Sequence, residues 1–462
     1  NAVLDGVKLY KSYGTFENCD FYGFGRYPIY FEDWTCQPVL TNNTYSSKGI
    51  NLIGHAGGHF TESRSLQNDG IGYHILNPII IGKPNNTSRL TIEPGLVLNF
   101  EPSTYLQIGI YIPYSNYGGE LYAEGSADSL ITFKANNDTP GGWEGLYFED
   151  RSDYSGATSS LLYCIVEQGN EYNLFCDKTG QPSIENCIIR NAVQYGIKEL
   201  EASPQIHNSF FLNNGSYPIY YTDWTCNSHL MGNTYGGNNP NQIALSGGHY
   251  TDNRTLYNDG IDYLILSDII IGKANNVCRL TIEPGNSMRF ASGTSLQVGI
   301  YIPYSNYGGE LYAEGNADSL IIFMPDSEVQ GDWEGIFFDD RSDYGGATSS
   351  MKYCTIEKGN TCNVKCESTV QPVFEDCMMI DAVGDGLYCM NASPGINTTI
   401  FTGNGGNGIY LDGNSNPDIG NDAALTCNLY LNGMYNVYNN TTNNIDARYN
   451  YWGTADSAMI AQ

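Results

Sequence analysis

The chain has 462 residues and a formal net charge of −29, with 50 acidic side chains against 21 Lys and Arg. So large a negative charge excludes nucleic acid and anionic membrane surfaces as expected partners, because both repel it. No apolar run approaches the ~18 residues that a membrane helix needs, so membrane insertion is not expected. The acidic balance suits a secreted protein at the cell surface that stays soluble and attracts cations.

The chain begins with Asn and shows no signal peptide, which favours a mature, processed chain. Glycine and asparagine punctuate it at short intervals, a rhythm typical of short strands and turns. The opening stretch, residues 2–10, is predicted to be a strand without a later counterpart. We expect residues 1–11 to act as a cap, or as a strand given to a neighbouring molecule.

From Tyr13 onwards the sequence contains an internal duplication, in which each residue of the first copy has its counterpart roughly 190 residues later. The segment LTIEPG at residues 90–95 returns at 280–285, and the block at 109–125 reappears letter for letter at 299–315. This repeat predicts a first copy at 12–201, a second copy at 202–391, and a partial third copy with a C-terminal cap at 392–462.

A shorter repeat lies inside each copy. One slot recurs at almost equal intervals and is filled by Cys164, Cys187 and Ser209 in copy one and by Cys354, Cys377 and Thr399 in copy two. A period of about 22 residues with two or three short alternating runs is typical of one coil of a parallel β-helix. The predicted fold is therefore an all-β solenoid with about 22-residue coils. In it, equivalent cysteines stack as buried thiols rather than as metal ligands.

The main alternative is a row of antiparallel sandwiches, but Asn-Gly hairpin signals are too few for that fold. Segments 54–73 and 247–263 interrupt the rhythm, and we expect each to be a loop or a short side-strand insertion that projects from the coils. They carry His59 and His249, with Asp69 and Asp259 downstream. His-Asp catalysis or a metal is conceivable there, although inert surface histidines are favoured.

Two sets of residues could form a functional site. The first set consists of tyrosines with amide neighbours in the identical block. They could stack on sugar rings, or equally fill coil corners and subunit contacts. They are Tyr111, Tyr114 and Tyr117 in copy one and Tyr301, Tyr304 and Tyr307 in copy two. The second set is an acidic turn in each copy. Its carboxylates are hard ligands suited to Ca²⁺, or they simply form a solvated turn neutralised by its arginine. The residues are Glu149, Asp150 and Asp153 in copy one and Asp339, Asp340 and Asp343 in copy two. No cofactor is required, and calcium is the one that the sequence suggests.

Four runs carry a resemblance to a known family. LTIEPG, the run from GGELYAEG to ADSLI, WEG followed by an apolar strand, and the strand with SSL and YC resemble secreted right-handed parallel β-helix repeat proteins of the pectate-lyase-like solenoid superfamily. The terminal ARYNYWGT is similar to the way many of these proteins end. The resemblance covers nearly the whole chain and implies a right-handed coil. It implies little about function, because these proteins serve as adhesins, scaffolds and carbohydrate-active enzymes.

Two functions from different classes follow. The preferred interpretation is a non-enzymatic structural solenoid, a scaffold or adhesin, whose open strand edges join head to tail with further copies into filaments. The alternative is a carbohydrate-active enzyme or a polysaccharide-binding module. The resemblance implies that a lyase of this fold would carry a calcium site beside an Arg or Lys base. It implies that a hydrolase would need two or three aspartates with a nearby His and a basic residue on adjacent coils. Retention of nearly every feature in both copies favours the structural interpretation.

Overall fold

The structure is a computed structural model that describes residues 4–46, 48–112, 115–302 and 305–454. It consists of two compact units, Asn1–Ile243 and Ala244–Gln462. Each unit is a right-handed parallel β-solenoid whose chain winds through three sheets in turn. Within the described residues, helix is limited to two 3₁₀ turns, Tyr154–Gly156 and Tyr344–Gly346.

The first unit contains three long sheets. Sheet A1 consists of Val7–Leu9, Ile29–Phe31, Ile53–His55, Tyr73–Ile75, Val97–Phe100, Ile131–Ala135, Cys164–Glu167, Ile188–Arg190, Phe210–Leu212 and Thr234–Gly236. Sheet B1 consists of Gly58–Phe60, Ile79–Ile81, Leu106–Ile108, Leu146–Phe148, Tyr172–Asp177, Tyr195–Leu200 and Ile219–Tyr221. Sheet C1 consists of Arg64–Leu66, Lys83–Pro84, Thr87–Ile92, Ile110–Ile112, Ser115–Glu124, Ser160–Leu162, Ser183–Glu185, Gln205–His207 and His229–Met231. Two short pairs complete the first coils, Thr15–Glu17 with Val39–Thr41 and Asp20–Tyr22 with Thr44–Ser46.

The second unit repeats this plan. Sheet A2 consists of Ile243–Leu245, which spans the unit boundary, Tyr263–Ile265, Ser287–Phe290, Ile321–Pro325, Cys354–Glu357, Met378–Ile380, Ile400–Thr402 and Asn428–Tyr430. Sheet B2 consists of Gly248–Tyr250, Ile269–Ile271, Ser295–Val298, Gly335–Phe338, Cys362–Glu367, Asp385–Met390, Ile409–Gly413 and Val437–Thr441. Sheet C2 consists of Arg254–Leu256, Lys273–Ala274, Val277–Ile282, Ile300–Ile302, Ser305–Glu314, Ser350–Lys352, Val373–Glu375, Gly395–Asn397 and Asp418–Ile419.

The core consists of side chains that alternate inward along each strand. Strand Leu106–Ile108 buries its two ends and turns Gln107 outward, as the period of two requires. Parallel pairing then sets equivalent residues one above another, as with Ile165 and Ile188. Cys164 and Cys187 precede those two isoleucines and are both buried. The predicted parallel column is therefore confirmed.

Asparagine forms the corners, also as expected. Many corner residues have positive φ, among them Asn186, Asn191 and Asn208, because asparagine tolerates the left-handed region better than most residues. A second set of asparagines is buried inside the turns. The Asn214 side chain accepts a hydrogen bond from the Ala192 backbone N–H at 3.1 Å and donates to Asn238 at 2.9 Å. These amides satisfy the polar backbone of each bend.

Coil length varies more than the single predicted period. Ile188 pairs with Phe210, which is one period further along the chain, as predicted. Leu98 instead pairs with Phe133, so the coil between them is much longer. The second unit has the same long coil, where Met288 pairs with Phe323. The additional residues include two antiparallel strands, Ile110–Ile112 with Ser115–Glu124 in the first unit and Ile300–Ile302 with Ser305–Glu314 in the second. Insertions between strands therefore lengthen a coil without breaking the stack.

The prediction that segments 54–73 and 247–263 project from the coils is wrong. Segment 54–73 contains strands of all three sheets, and Tyr73–Ile75 pairs in parallel with Ile53–His55. Strands of three residues carry too little alternation to be distinguished from a loop in sequence. At the N-terminus, strand Val7–Leu9 pairs with Ile29–Phe31 of its own chain.

The burial of the cysteines predicts thiol chemistry. Twelve of the thirteen are buried, and only Cys19 is partly exposed. Burial raises the pKa of Cys164 and Cys176 well above the ordinary thiol value, which suppresses the reactive thiolate. We expect Ellman's reagent to modify one thiol rapidly in the native protein and all thirteen after denaturation. Cys19→Ser should abolish the rapid phase, and several rapid thiols in that variant would contradict the burial pattern.

Candidate functional site

A two-stranded hairpin projects from each unit. In the first unit Ile110–Ile112 runs antiparallel to the start of Ser115–Glu124, with Tyr111 opposite Asn116. Tyr111 is 52% exposed and Ile112 is 40% exposed. In the second unit Ile300–Ile302 pairs with Ser305–Glu314 in the same register. Each unit therefore carries an ordered arm, and the arm of the first unit presents apolar and aromatic groups.

The tyrosines predicted as one contact set have different places. Tyr114 and Tyr304 lie outside the described residues, and Tyr301 is described as backbone alone. Tyr117 is half-buried, and its ring centroid lies 5.8 Å from that of His59. Tyr307 and His249 repeat this contact at 5.4 Å. Each of these two tyrosines packs at the foot of the hairpin in its own unit, whereas the Tyr111 side chain is exposed to solvent.

The histidine of each Gly-Gly-His segment packs at the foot of the hairpin in its own unit. His59 Nε2 lies 2.8 Å from the Gly82 carbonyl oxygen, and His249 Nε2 lies 2.7 Å from that of Gly272. A backbone carbonyl accepts a hydrogen bond, so each ring carries its proton on Nε2. Their contacts are structural, in keeping with the favoured interpretation.

The acidic turn of the first unit follows strand Leu146–Phe148. Glu149 accepts a hydrogen bond from Gln107 Nε2 at 3.2 Å. Asp150 is buried with one oxygen 3.8 Å from Arg151 Nε, whereas Asp153 is exposed. The three carboxylates therefore have separate surroundings.

The second unit repeats this turn. Asp339 accepts from Gln297 Nε2 at 3.1 Å. Asp340 lies 3.6 Å from Arg341, and Asp343 accepts from the Thr369 hydroxyl at 2.9 Å. Among the described residues, no group of three or more His, Cys, Asp or Glu side chains is arranged to hold a metal ion. A calcium site at either turn stays a prediction.

The hairpin and the acidic turn pack against each other in the first unit. The Arg151 guanidinium carbon lies 5.5 Å from the Tyr111 ring centroid. Gly109 enters the hairpin with φ +78°, and a Cβ at that position would lie 2.5 Å from the Ser152 nitrogen. Only glycine permits this approach. The two sets of candidate residues therefore form one surface.

Sequence reasoning missed the residues that border this surface on sheet B1. The hydroxyl of Tyr147 lies 3.4 Å from Asp177, which comes from the next coil. Burial raises the pKa of Glu149, and the negative charge of Asp177 raises it further. Burial likewise raises the pKa of Asp177. The predicted period of about 22 residues could not have found them, because the register partners Phe148 and Cys176 are further apart in sequence than one period.

The second unit differs at these positions. Phe337 replaces Tyr147, and Lys365 occupies the place of Phe175. The Lys365 ammonium pairs with Glu367, the counterpart of Asp177. Both borders therefore carry a lysine, but in the first unit it is Lys198 of the next coil, whose ammonium lies 5.6 Å from the Phe175 ring centroid.

A column of aromatic side chains lies on the outer face of each B sheet. The ring centroids of Tyr195 and Tyr220 lie 4.9 Å apart. In the second unit the centroids of Tyr388 and Tyr410 lie 5.1 Å apart, as do those of Tyr410 and Tyr438. Contacts between aromatic side chains on neighbouring strands stabilise a sheet. The column therefore holds the coils together on the face beside the acidic turn.

Comparison with known proteins bears on the fold. A family model described as "Right handed beta helix region" matches residues 342–424. Neither the curated proteins nor the solved structures gave a significant match. In the described part of the chain, no helix has the length and apolar character to cross a membrane. The coil geometry and the family model agree, and the fold of the described residues is a right-handed parallel β-helix.

Proposed function

We propose that the protein is a secreted, non-enzymatic structural solenoid that acts as a cell-surface scaffold or adhesin. The observation that carries this proposal is the presence of the same hairpin and acidic turn in both units. Two like surfaces on one chain raise the strength of attachment through effective concentration, without a tight single contact. Surface polysaccharide is the proposed partner, because exposed tyrosines stack on sugar rings.

The duplication extends to side-chain contacts. Arg89 lies 4.0 Å from the Tyr122 ring centroid, and its Nε donates to Glu120 at 2.7 Å. The second unit makes the same contacts at 3.7 Å and 2.8 Å through Arg279, Tyr312 and Glu310. A catalytic site needs to persist in one copy only, whereas multivalent attachment benefits from both. Retention of these contacts in both copies supports the proposal.

Binding to immobilised acidic and neutral polysaccharides tests it. Tyr111→Ala and Tyr301→Ala should each weaken retention, and the double variant should lose most of it, because avidity needs both arms. Tyr13→Ala, an exposed tyrosine outside the hairpins, is the matched control and should bind normally. Equal binding by the double variant and the wild type would overturn the proposal.

End-to-end assembly is the second part of this proposal. Strand Val7–Leu9 has one strand partner among the described residues, and its other edge is unpaired there. Unpaired edges recruit further strands, and a head-to-tail contact that does not close produces a filament. Negative-stain microscopy should show filaments whose length grows with protein concentration. Single particles with the mass of one chain at every concentration would remove this part.

A carbohydrate-active enzyme is the second candidate, favoured by the neighbouring carboxyl groups Glu149 and Asp177. Two neighbouring carboxyl groups can act as acid and base on a glycosidic bond. Incubation with the same polysaccharides, with and without calcium, would reveal reducing ends or unsaturated products. Product that forms with wild type and not with Glu149→Gln would establish this candidate in place of the scaffold.

A further inference from the structure

Two histidines meet on the outer face of sheet C1, away from the hairpin and the acidic turn. His207 ends strand Gln205–His207, and His229 begins strand His229–Met231 on the next coil. The two strands pair in parallel, with His207 opposite Met231. Ile206 and Leu230 point into the core, so the histidines and Met231 share the outer face.

The two imidazoles are in direct contact. His207 Nε2 lies 2.9 Å from His229 Nδ1, and the ring planes cross at 85°. One nitrogen of this pair must carry a proton and the other a lone pair. If the donor ring carries its proton on its other nitrogen instead, each ring stays neutral and both facing nitrogens have a lone pair for a metal ion.

That separation fits a particular coordination geometry. With metal–nitrogen bonds of about 2.0–2.1 Å, two nitrogens 2.9 Å apart subtend an angle of about 90° at the metal. A tetrahedral ion such as Zn²⁺ requires a wider angle, whereas Cu²⁺ and Ni²⁺ prefer tetragonal sites with cis ligands at right angles.

Met231 supplies a third ligand type. It is 52% exposed and occupies the register position beside His207. A thioether is a soft ligand that selects Cu⁺ among biological metals. The net charge of −29 also raises the local concentration of cations around the chain.

We propose that His207, His229 and Met231 form a copper-binding site. The two imidazoles bind Cu²⁺ in adjacent positions, with water completing the coordination, and the thioether strengthens binding of Cu⁺. In the second copy Asn397 stands in place of His207, and the strand register puts Asp418 in place of His229. The histidine pair is therefore not repeated there, and the site is independent of the proposed attachment surfaces.

Titration of the full chain with Cu²⁺, followed by electron paramagnetic resonance, tests the proposal. We expect one tightly bound ion with hyperfine coupling to two nitrogens, and affinity falling from Cu²⁺ to Ni²⁺ to Zn²⁺. His207→Asn and His229→Asn should each weaken Cu²⁺ binding at least about tenfold, the loss that even an outer-shell substitution can cause. Met231→Leu should weaken Cu⁺ in an anaerobic competition assay and leave Ni²⁺ binding unchanged.

His249→Gln is the matched control, because that ring is held by the Gly272 carbonyl and lies in the second unit. It should bind copper as the wild type does. Circular dichroism of each variant checks that the solenoid is intact, which is expected because the substituted side chains are on the outer face. Unchanged Cu²⁺ affinity in the folded His207→Asn/His229→Asn double variant would overturn the site.

Discussion

Replacing Glu199 with glutamine should stabilise the protein at pH 8 and leave its stability nearly unchanged at pH 4. Glu199 is fully buried on the inner face of strand Tyr195–Leu200. Its register neighbours on the adjacent coils are Cys176 and Tyr221. The Ser228 hydroxyl lies 2.7 Å from both carboxyl oxygens. Burial raises the pKa of Glu199 well above the ordinary value, and the single hydroxyl offsets this in part.

The sign follows from proton linkage. A carboxyl whose folded pKa is raised stabilises the fold fully below the unfolded pKa, and this stabilisation is lost as pH rises through the folded pKa. Glutamine has nearly the same shape and does not ionise. The gain in the free energy of unfolding should therefore grow with pH, to on the order of 2 kcal/mol, the scale of a poorly compensated buried polar group.

Urea unfolding at pH 4, 6 and 8 would measure this difference. Glu201→Gln is the matched control, because Glu201 is an exposed neighbour on the same strand end and should give no such gain. An equal gain in the free energy of unfolding at all three pH values would show that glutamine acts through packing and not through ionisation. That result would contradict a protonated Glu199 in the core.

Truncation of the buried tryptophans should cause the largest losses of stability. Trp143 is fully buried, stacks on Phe100 at 4.4 Å, and its indole N–H donates to the Glu167 carbonyl at 2.8 Å. Trp143→Ala removes this packing and leaves a cavity, and also leaves the carbonyl without its donor. We expect the free energy of unfolding to fall by about 3–5 kcal/mol.

The second unit provides an internal replicate. Trp333 stacks on Phe290 at 4.5 Å and donates to the Glu357 carbonyl at 2.8 Å. Trp333→Ala should therefore cost a similar amount, measured by the same denaturant titration. Phenylalanine at either position should cost less, since it refills part of the volume. A loss under about 1 kcal/mol for either alanine variant would contradict a closely packed coil interior.

The column of coils could be derived from sequence because its register is periodic. The regular spacing of the cysteine slot predicted vertical neighbours, and the pairing of Ile165 with Ile188 confirms them. Repetition is a local property of the chain, and stacking follows from it without knowledge of distant contacts. The presence of a candidate surface in each unit could likewise be predicted from sequence, because identical segments adopt the same local structure in both units.

The neighbours across coils needed the tertiary structure. Asp177 lies close to Glu149, and His207 contacts His229. Both pairs form because the turns between strands, which differ in length, set which residues of neighbouring coils lie side by side. Burial of Glu199 contradicts the usual exposure of a charged residue and depends on which face of its strand meets the core. The sequence by itself determined the repeating coil, since strand periodicity is encoded locally. Tertiary structure alone decided which polar side chains meet, because turn lengths set the alignment of residues that are far apart in sequence.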